Sequence, residues 1–587
     1  MSFASGKADR RLKGCMLLSC SHQIGNPPIF AEVSCARQHQ RPAPPRPHTD
    51  RRTQLGRIAA GIFALGLFAS ANVLAAPVHR AAKPITDDQG RTRIIIDFED
   101  TAQDAYPAEL IARFNPKTDR VHPQVEALVQ TYEKQYGFSR VAMTSWVGAS
   151  VTGYLDTPQI ERLASDPNVR LLTEDRAATF SSPPPWYAAW NGSPWTELND
   201  WGRVAVNGKT VLPGSTRKVY VIDSGVAHHD DSGSVSQRVN VVCETGNTTD
   251  CSGEPSPYIS NPQVGFYQTV GCYAHATHVA GIIGATANNG QNRSGVYAGV
   301  NMVSIAIGAS SNPEYPGGPW IKCASSDTQF VVNQLWSTIG NAFDYIRYQN
   351  TAWMGFGNPV QIATMSLNGA GIGYSSAGVA ETNLPKLQQL VTPQQVSWYI
   401  YPGVLFVNSA GNQNQNACGL NVLNNASSSY KTSAYANATA IDGIVVVGAI
   451  NSNGYSVSPF STSQPVGLTG GEAGSNFGPC VDIWAPGEMI YSTWGYGPDL
   501  TKSNLLYSGG QPSSYVFGSS WLSFLGWAWS SGTSMAAPHV AAAAAYVADK
   551  YELTTPAQIE AKLREVAQNY GRFDAAGQPI QVVYLPD

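Results

Sequence analysis

The sequence predicts an α/β protein: a three-layer domain whose mostly parallel central sheet is flanked by helices, preceded by a small α+β domain. Three observations carry this. Beyond residue 200, short apolar runs such as Lys218-Val-Tyr-Val-Ile222 and Val404-Leu-Phe-Val407 alternate with helical stretches of small and apolar residues. Strands buried on both faces read as near-continuous apolar runs of this kind. Residues 92–179 repeat the alternation on a smaller scale, and Ser181-Ser-Pro-Pro-Pro-Trp186 separates the two parts. Consecutive prolines favour extended backbone without hydrogen bonds, which marks a linker open to proteases.

Composition sets the class. The 587 residues include 37 Lys and Arg against 41 Asp and Glu, a net charge of −4, and only 13% are charged, against roughly 25% in average domains. This excludes a basic nucleic-acid binder and a coiled coil. With 43% hydrophobic residues, 56 Gly and 38 Pro, the chain reads as a turn-rich globule with a large core, which excludes global disorder.

Residues 1–50 mix Arg, His and Pro with Cys15, Cys20 and Cys35 and show no hydrophobic period, so they read as disordered or as a mis-assigned leader whose true start lies downstream of Met1. Residues 51–75 join Arg51-Arg52 and Arg57 to an apolar run from 58 to 74 and end on Val73-Leu-Ala75. That is the pattern of a signal peptide cut after Ala75, with a membrane-anchoring helix as the alternative. Residues 76–180 form the small domain, with strands expected at 94–96, 149–154 and 169–172 and helices at 125–136 and 157–164. Residues 181–587 form the large one, with no repeat of fixed period.

Four motifs in the large domain carry chemistry. The first strand ends in Asp223-Ser-Gly225, where a carboxylate at a strand terminus faces a cleft and Gly permits the turn; a turn-capping Asp is the alternative. His275-Ala-Thr-His278-Val-Ala-Gly places His275 at a helix start, with His278 inside the helical pattern as a packed or hydrogen-bonded residue. Two histidines three apart also suit zinc, but no third ligand stands at supporting spacing. Ser531-Gly-Thr-Ser534-Met-Ala-Ala-Pro-His-Val540, followed by Ala541–Ala545, is a helix start among small residues. A serine hydroxyl becomes nucleophilic when a neutral imidazole takes its proton, and the imidazole needs a carboxylate to fix its tautomer. Finally, Val407-Asn-Ser-Ala-Gly-Asn412 runs from a strand into a Gly turn and presents an amide that can join the Ser534 backbone N–H in holding an oxyanion.

Taken together these pieces resemble the subtilase family of serine proteases, whose chain order Asp, His, Ser is that of Asp223, His275 and Ser534. The resemblance spans most of 200–587 and implies a subtilisin-like fold. It implies that Asp223 orients the imidazole, His275 is general base and acid, Ser534 is the nucleophile, and Asn412 completes the oxyanion hole. Ser475-Asn-Phe-Gly-Pro-Cys480 resembles the proteinase K-like branch, which implies disulfides Cys418–Cys480 and Cys272–Cys323 and leaves Cys243 with Cys251. Ser366, Leu367, Asn368 and Gly369, with Ser409, Ala410 and Gly411, resemble the walls of the substrate cleft, where an extended peptide adds as a strand. The segment 155–175 resembles the end of an inhibitor-type propeptide, whose tail lies in the cleft as a substrate, with self-cleavage between Arg176 and Pro185.

The resemblance thus implies a secreted or periplasmic serine endopeptidase made as a self-processing zymogen. It would act as a monomer on proteins and peptides, with its own propeptide as intramolecular inhibitor, no nucleic-acid or membrane partner in the mature form, and no catalytic cofactor. Structural calcium is expected at Asn289 with Asp231 or Asp230, in the turn Ala287-Asn-Asn-Gly290. Three features depart from the pattern. Ala276 stands where the family has Gly, and its methyl, beside the imidazole, is expected to crowd the substrate or the helix start. Asn368 replaces a Gly of the cleft strand, and Ala541 replaces another in the helix. Residues 309–363 and 494–529 exceed the family core, the second carrying Tyr496, Tyr507, Tyr515, Phe517, Trp521, Phe524, Trp527 and Trp529, read as an aromatic lid or a self-packed insertion. They motivate rival readings: a catalytically weakened binding or surface protein, or a peptidase or esterase restricted to small substrates.

Overall fold

The computed structural model describes residues 75–80, 84–99, 121–175, 179–180, 200–223, 225–226, 231, 234–241, 275–289, 294–307, 336–353, 358–368, 377–396, 399–417, 441–457, 474–494 and 526–587. The chain divides into two compact units, Met1–Ser70 and Ala71–Asp587. The first lies outside the described residues, so the expected signal segment does too for all but its last residue.

The centre of the second unit is a nine-stranded sheet. From one edge its strands are Gln568–Phe573, Pro579–Val582, Ile483–Pro486, Ile444–Ile450, Val404–Ser409, Gln361–Met365, Lys218–Asp223, Asn301–Ala306 and Val235–Asn240. Every neighbouring pair is parallel except the first. Side chains of a strand point alternately to the two faces, and the strand to Asp223 sorts itself accordingly. Val219 and Val221 pack with helices His275–Gly284 and Thr533–Lys550, whereas Tyr220 and Ile222 pack with helix Trp336–Asn350 and with Leu387, Leu390 and Val391 of Ala377–Val391. This is a three-layer α/β arrangement, helices on both faces of a mostly parallel sheet.

Small residues set how closely the first layer sits. Ala541–Ala545 are all fully buried, which lets the Thr533–Lys550 helix press onto the sheet. A Cβ on Gly281 would stand 2.2 Å from Thr493 Oγ1. Only glycine therefore lets the strand Ile490–Trp494 reach the His275 helix, where Thr493 Oγ1 donates to the Thr277 carbonyl (2.8 Å) and Ser492 Oγ to the His278 carbonyl (2.7 Å).

Residues 76–175 build a five-stranded sheet in the order Val78–His79, Val169–Glu174, Thr92–Phe98, Ser150–Leu155, Arg140–Thr144. Helices Pro123–Tyr136 and Thr157–Ala164 cover one face through Val125, Val129, Ile160 and Leu163 against Ile94, Ile96 and Val151. The second helix starts on a capping box, Asp156 with Gln159. The strand Arg140–Thr144 was not foreseen in the sequence, because its apolar run is only the three residues Val141-Ala-Met143, between Arg140 and Thr144.

The opposite face of this small sheet docks on the helices Trp336–Asn350 and Ala377–Val391, so the two sheets share one unit although the sequence sets them apart at the prolines. The contact is polar at its heart. The Asp344 carboxylate accepts the backbone N–H groups of Ser145 (3.0 Å), Trp146 and Val147 (3.0 Å). Asp97 pairs with Lys386 (2.9 Å). Asp175 accepts from Arg93 (2.8 Å) and from the Ser337 hydroxyl (2.6 Å). Trp146 and Val147 join the core around Phe343 and Ile339.

Candidate active site

The site lies at the carboxyl ends of the parallel strands, where side chains leave the sheet edge unblocked. Asp223 is the last residue of its strand, and Gly225, at φ 96°, turns the chain away. His275 opens its helix. Its Nδ1 lies 2.8 Å from Asp223 Oδ2 and 3.0 Å from Oδ1. Both side chains are buried, and the carboxylate on Nδ1 selects the tautomer that turns an unprotonated Nε2 outward as a base.

Ser534 is the second residue of the Thr533–Lys550 helix, entered through Gly532 at φ 148°. Its backbone N–H is among the first-turn donors that no intrahelical carbonyl accepts. Its hydroxyl donates to the Ser366 carbonyl (3.0 Å), and the Ser366 hydroxyl donates back to the Ser534 carbonyl (3.1 Å). Ser534 is thereby clasped to the end of the strand next to that of Asp223. To lose its proton to His275, the Ser534 hydroxyl must rotate away from the Ser366 carbonyl.

Asn412 is fully buried. Its Oδ1 accepts from the Thr533 N–H (2.9 Å) and the Thr533 hydroxyl (2.8 Å), and that hydroxyl accepts from the Gly411 N–H (3.1 Å). With Oδ1 fixed in this way, Nδ2 is the end of the amide turned from the helix. Thr533 thus locks the amide beside the serine it precedes. Asn476 holds the same loop from the other side: its Nδ2 donates to the Ala410 carbonyl (2.7 Å), and its Oδ1 accepts from the Gln413 (3.0 Å) and Gln415 (3.1 Å) N–H groups. Sequence reasoning assigned no role to either residue, and in both cases the signal was a position inside a quoted motif.

The cleft strand contains a partner from the small domain. Leu367–Asn368 pairs antiparallel with Thr179–Phe180, Leu367 opposite Phe180 and Asn368 opposite Thr179. The backbone of Asn368 therefore accommodates a paired strand despite replacing glycine; Gly369 lies outside the described residues. Ser409, Ala410 and Gly411, expected as cleft wall, are also part of the support of this corner. All three are buried, Ser409 ends a central strand, and the Gly411 N–H and carbonyl bond Thr533 and the Asn476 N–H.

Ala276 also requires correction. Its methyl is fully buried in the core layer with Val219, Val279 and Ala536, on the sheet side of the helix, so it packs into the core rather than crowding the substrate. Ala541 packs in the same layer. His278 is held by its Nε2 near the Ile490 carbonyl (3.1 Å).

Cys480 is disulfide-bonded; Cys418, Cys272, Cys323, Cys243 and Cys251 lie outside the described residues, as do Asp230 and most of both insertions. Of the second insertion, Gly526–Ser530 pairs with Ile490–Trp494. At the expected calcium turn, Asn289 Nδ2 donates to Asp231 Oδ1 (2.9 Å). An amide N–H facing the carboxylate closes the pair on itself, and among the described residues no three His, Cys, Asp or Glu side chains gather to hold a metal ion. Calcium needs six to eight oxygens, and the neighbouring residues 227–230 and 290–293 lie outside the described residues, so no role is derived for it.

The sequence pattern of the Subtilase family matches residues 214–578, which include Asp223, His275, Asn412 and Ser534. The chain is 23% identical over 472 residues to the alkaline serine exoprotease A of Vibrio alginolyticus, covering 79% of this chain and 64% of that protein. It is 23% identical over 440 residues to the extracellular serine proteinase of Thermus sp. strain Rt41A, covering 73% of each. The chain thus spans less than two thirds of the Vibrio protein's length. Among solved structures, fervidolysin from Fervidobacterium pennivorans, a keratinolytic enzyme related to subtilisin, aligns at TM-score 0.46 and 18% identity, covering 87% of this chain and 62% of the other. By a family match that covers more than half of its length and encloses this site, the chain belongs to the subtilase family.

Proposed function

We propose that the chain is a serine endopeptidase, exported and made as a self-processing zymogen. One observation carries the reading: the bonded Asp223–His275 pair and the Ser534–Asn412 corner flank a cleft strand on which the chain's own residues 179–180 lie as a β-strand. His275 takes the Ser534 proton as the hydroxyl attacks a peptide carbonyl. Asn412 Nδ2 and the Ser534 N–H stabilise the oxyanion, and His275 returns the proton to the leaving amine. Water then hydrolyses the acyl-enzyme by the same route in reverse. Because the added strand is held through its backbone, cleavage is broad in sequence.

Residues 76–180 act as the inhibitor in this reading, held by Asp344, Lys386 and Ser337 and by the tail in the cleft. Export is supported by the signal-like segment 51–75 and by relatives named extracellular; among the described residues no helix is long and apolar enough to cross a membrane. The test is hydrolysis of an unfolded protein by wild-type protein and by Ser534→Ala, prepared in an oxidising compartment. Wild type should degrade it and the variant should not; equal rates would sink the proposal.

A further inference from the structure

We infer that Trp201 is a positioning residue for the reaction: its indole N–H holds a bend at Met489, in the segment that ties the Ser534 helix to the His275 helix. The inference rests on the peptidase reading above. The two side chains stand at the starts of different helices, and residues 487–493 bond to both. On the serine side, the Gly487 carbonyl accepts the Gly532 N–H (2.7 Å), and the Met489 N–H donates to Ser531 Oγ (2.9 Å). On the histidine side, the Ile490 carbonyl lies 3.1 Å from His278 Nε2, and the Ser492 and Thr493 hydroxyls donate to the His278 and Thr277 carbonyls. The spacing between the imidazole and the serine hydroxyl thus depends on the shape of this segment.

Met489 is where that shape is set. It lies between the two groups of bonds, and its φ is 51°, in the left-handed region that a side chain disfavours. A residue persists there only when its surroundings hold it, and such strain gathers at functional sites. Trp201 does the holding. Its Nε1–H donates to the carbonyls of Glu488 (3.1 Å) and Met489 (3.2 Å), which belong to the two peptide groups that meet at the Met489 Cα, so one donor pins both sides of the bend. The indole is anchored in turn. It packs, partly buried, against the core layer that contains Ala536 and Val540 of the serine helix. Its own short helix is capped by Asp200, which accepts the Arg203 N–H (3.1 Å), and Arg203 Nε donates to the Gly295 carbonyl (3.1 Å). Without the indole N–H the bend relaxes and one helix start shifts against the other; a misplacement of about 1 Å in a reacting group lowers the rate about 10²-fold.

The experiment measures kcat and KM of the exported full chain on a short peptide, with active sites counted by fluorophosphonate labelling of Ser534. Trp201→Phe keeps an aromatic ring but carries no N–H; kcat per active site should fall about tenfold, with KM within about twofold of wild type. Adding Met489→Gly to it should return kcat to within about threefold of wild type, because glycine takes a positive φ without support. Met489→Val, with the indole intact, should also lower kcat about tenfold, since a β-branched residue resists that bend, and it supplies the test if Trp201→Phe does not fold. An unchanged kcat, a change in KM alone, or a double variant as slow as Trp201→Phe overturns the inference while leaving the peptidase reading in place. If wild type neither cleaves the peptide nor labels on Ser534, the peptidase reading fails and the positioning role fails with it.

Discussion

Replacing Asn412 by aspartate isolates the oxyanion donor from its scaffold. The two hydrogen bonds that Asn412 Oδ1 accepts from Thr533 can be accepted equally by a carboxylate oxygen, so the loop and the helix start should keep their geometry. What changes is the other end of the group, where an N–H donor becomes an anionic oxygen facing a developing negative charge. In subtilisin itself one such donor is worth about 2.7–4 kcal/mol of transition-state stabilisation, or 10²–10³ in kcat, and the added charge works in the same direction. The assay is the first-order rate of self-cleavage of the full chain, which has no substrate-binding step to confound it, alongside the melting temperature. Asn412→Asp should process at least about 100-fold more slowly than wild type and melt within a few degrees of it. Processing within tenfold of wild type would refute the assignment of Nδ2 to the oxyanion, and a collapsed melting temperature would refute the claim that Oδ1 carries the scaffold.

Other expectations follow from the same contacts. Thr533→Val keeps the N–H to Asn412 but removes the hydroxyl bridge to Gly411; kcat for a short peptide should fall about tenfold, roughly 1.4 kcal/mol, with KM little changed, whereas a pure KM effect would contradict a positioning role. Asp344→Ala strips three backbone N–H groups of Ser145, Trp146 and Val147 of their acceptor, and should weaken retention of the cleaved small domain by roughly 100-fold, about 3 kcal/mol, read as its inhibition constant. An unchanged constant would remove this contact from the inhibitory interface. Burial pushes the Asp482 carboxyl up to about 6, despite the Val446 N–H and Arg564 that favour its charge. As an acid raised in the folded state, it binds a proton there before it does in the unfolded chain. Its contribution to stability is therefore complete below about pH 4 and is lost as pH rises through about 6. The stability of wild type relative to Asp482→Asn should rise by roughly 3 kcal/mol between pH 7.5 and 4; a difference flat across that window would contradict the shift.

What the sequence made legible, and what it hid, divides by range. Asp223 at a strand end and His275 at a helix start were readable because each sits in a local pattern that a strand terminus or helix entry demands, and the structure brings them to 2.8 Å. The face on which Ala276 points was not: one added methyl reads the same whether its side of the helix meets the cleft or the sheet, and the sheet side is decided by packing against Val219 and Ala536. Nor was the orientation of the Asn412 amide, since that depends on Thr533, 121 positions away. Asp344 is separated by 199 residues from the Ser145 N–H it accepts, and no periodicity encodes that meeting. Nor was the brace on the Asn412 loop legible, since Asn476, whose Nδ2 donates to the Ala410 carbonyl, comes from a distant turn.

The central claim is that Ser534 is a nucleophile activated by the His275–Asp223 pair. Its most direct test is reaction of the exported protein with a fluorophosphonate, followed by peptide mapping of the adduct in wild type, His275→Ala and Asp223→Asn. The account predicts one adduct, on Ser534, formed rapidly in wild type and at least about 1,000-fold more slowly in both variants. An adduct on another serine, or equal labelling of Ser534 without the imidazole, would contradict it.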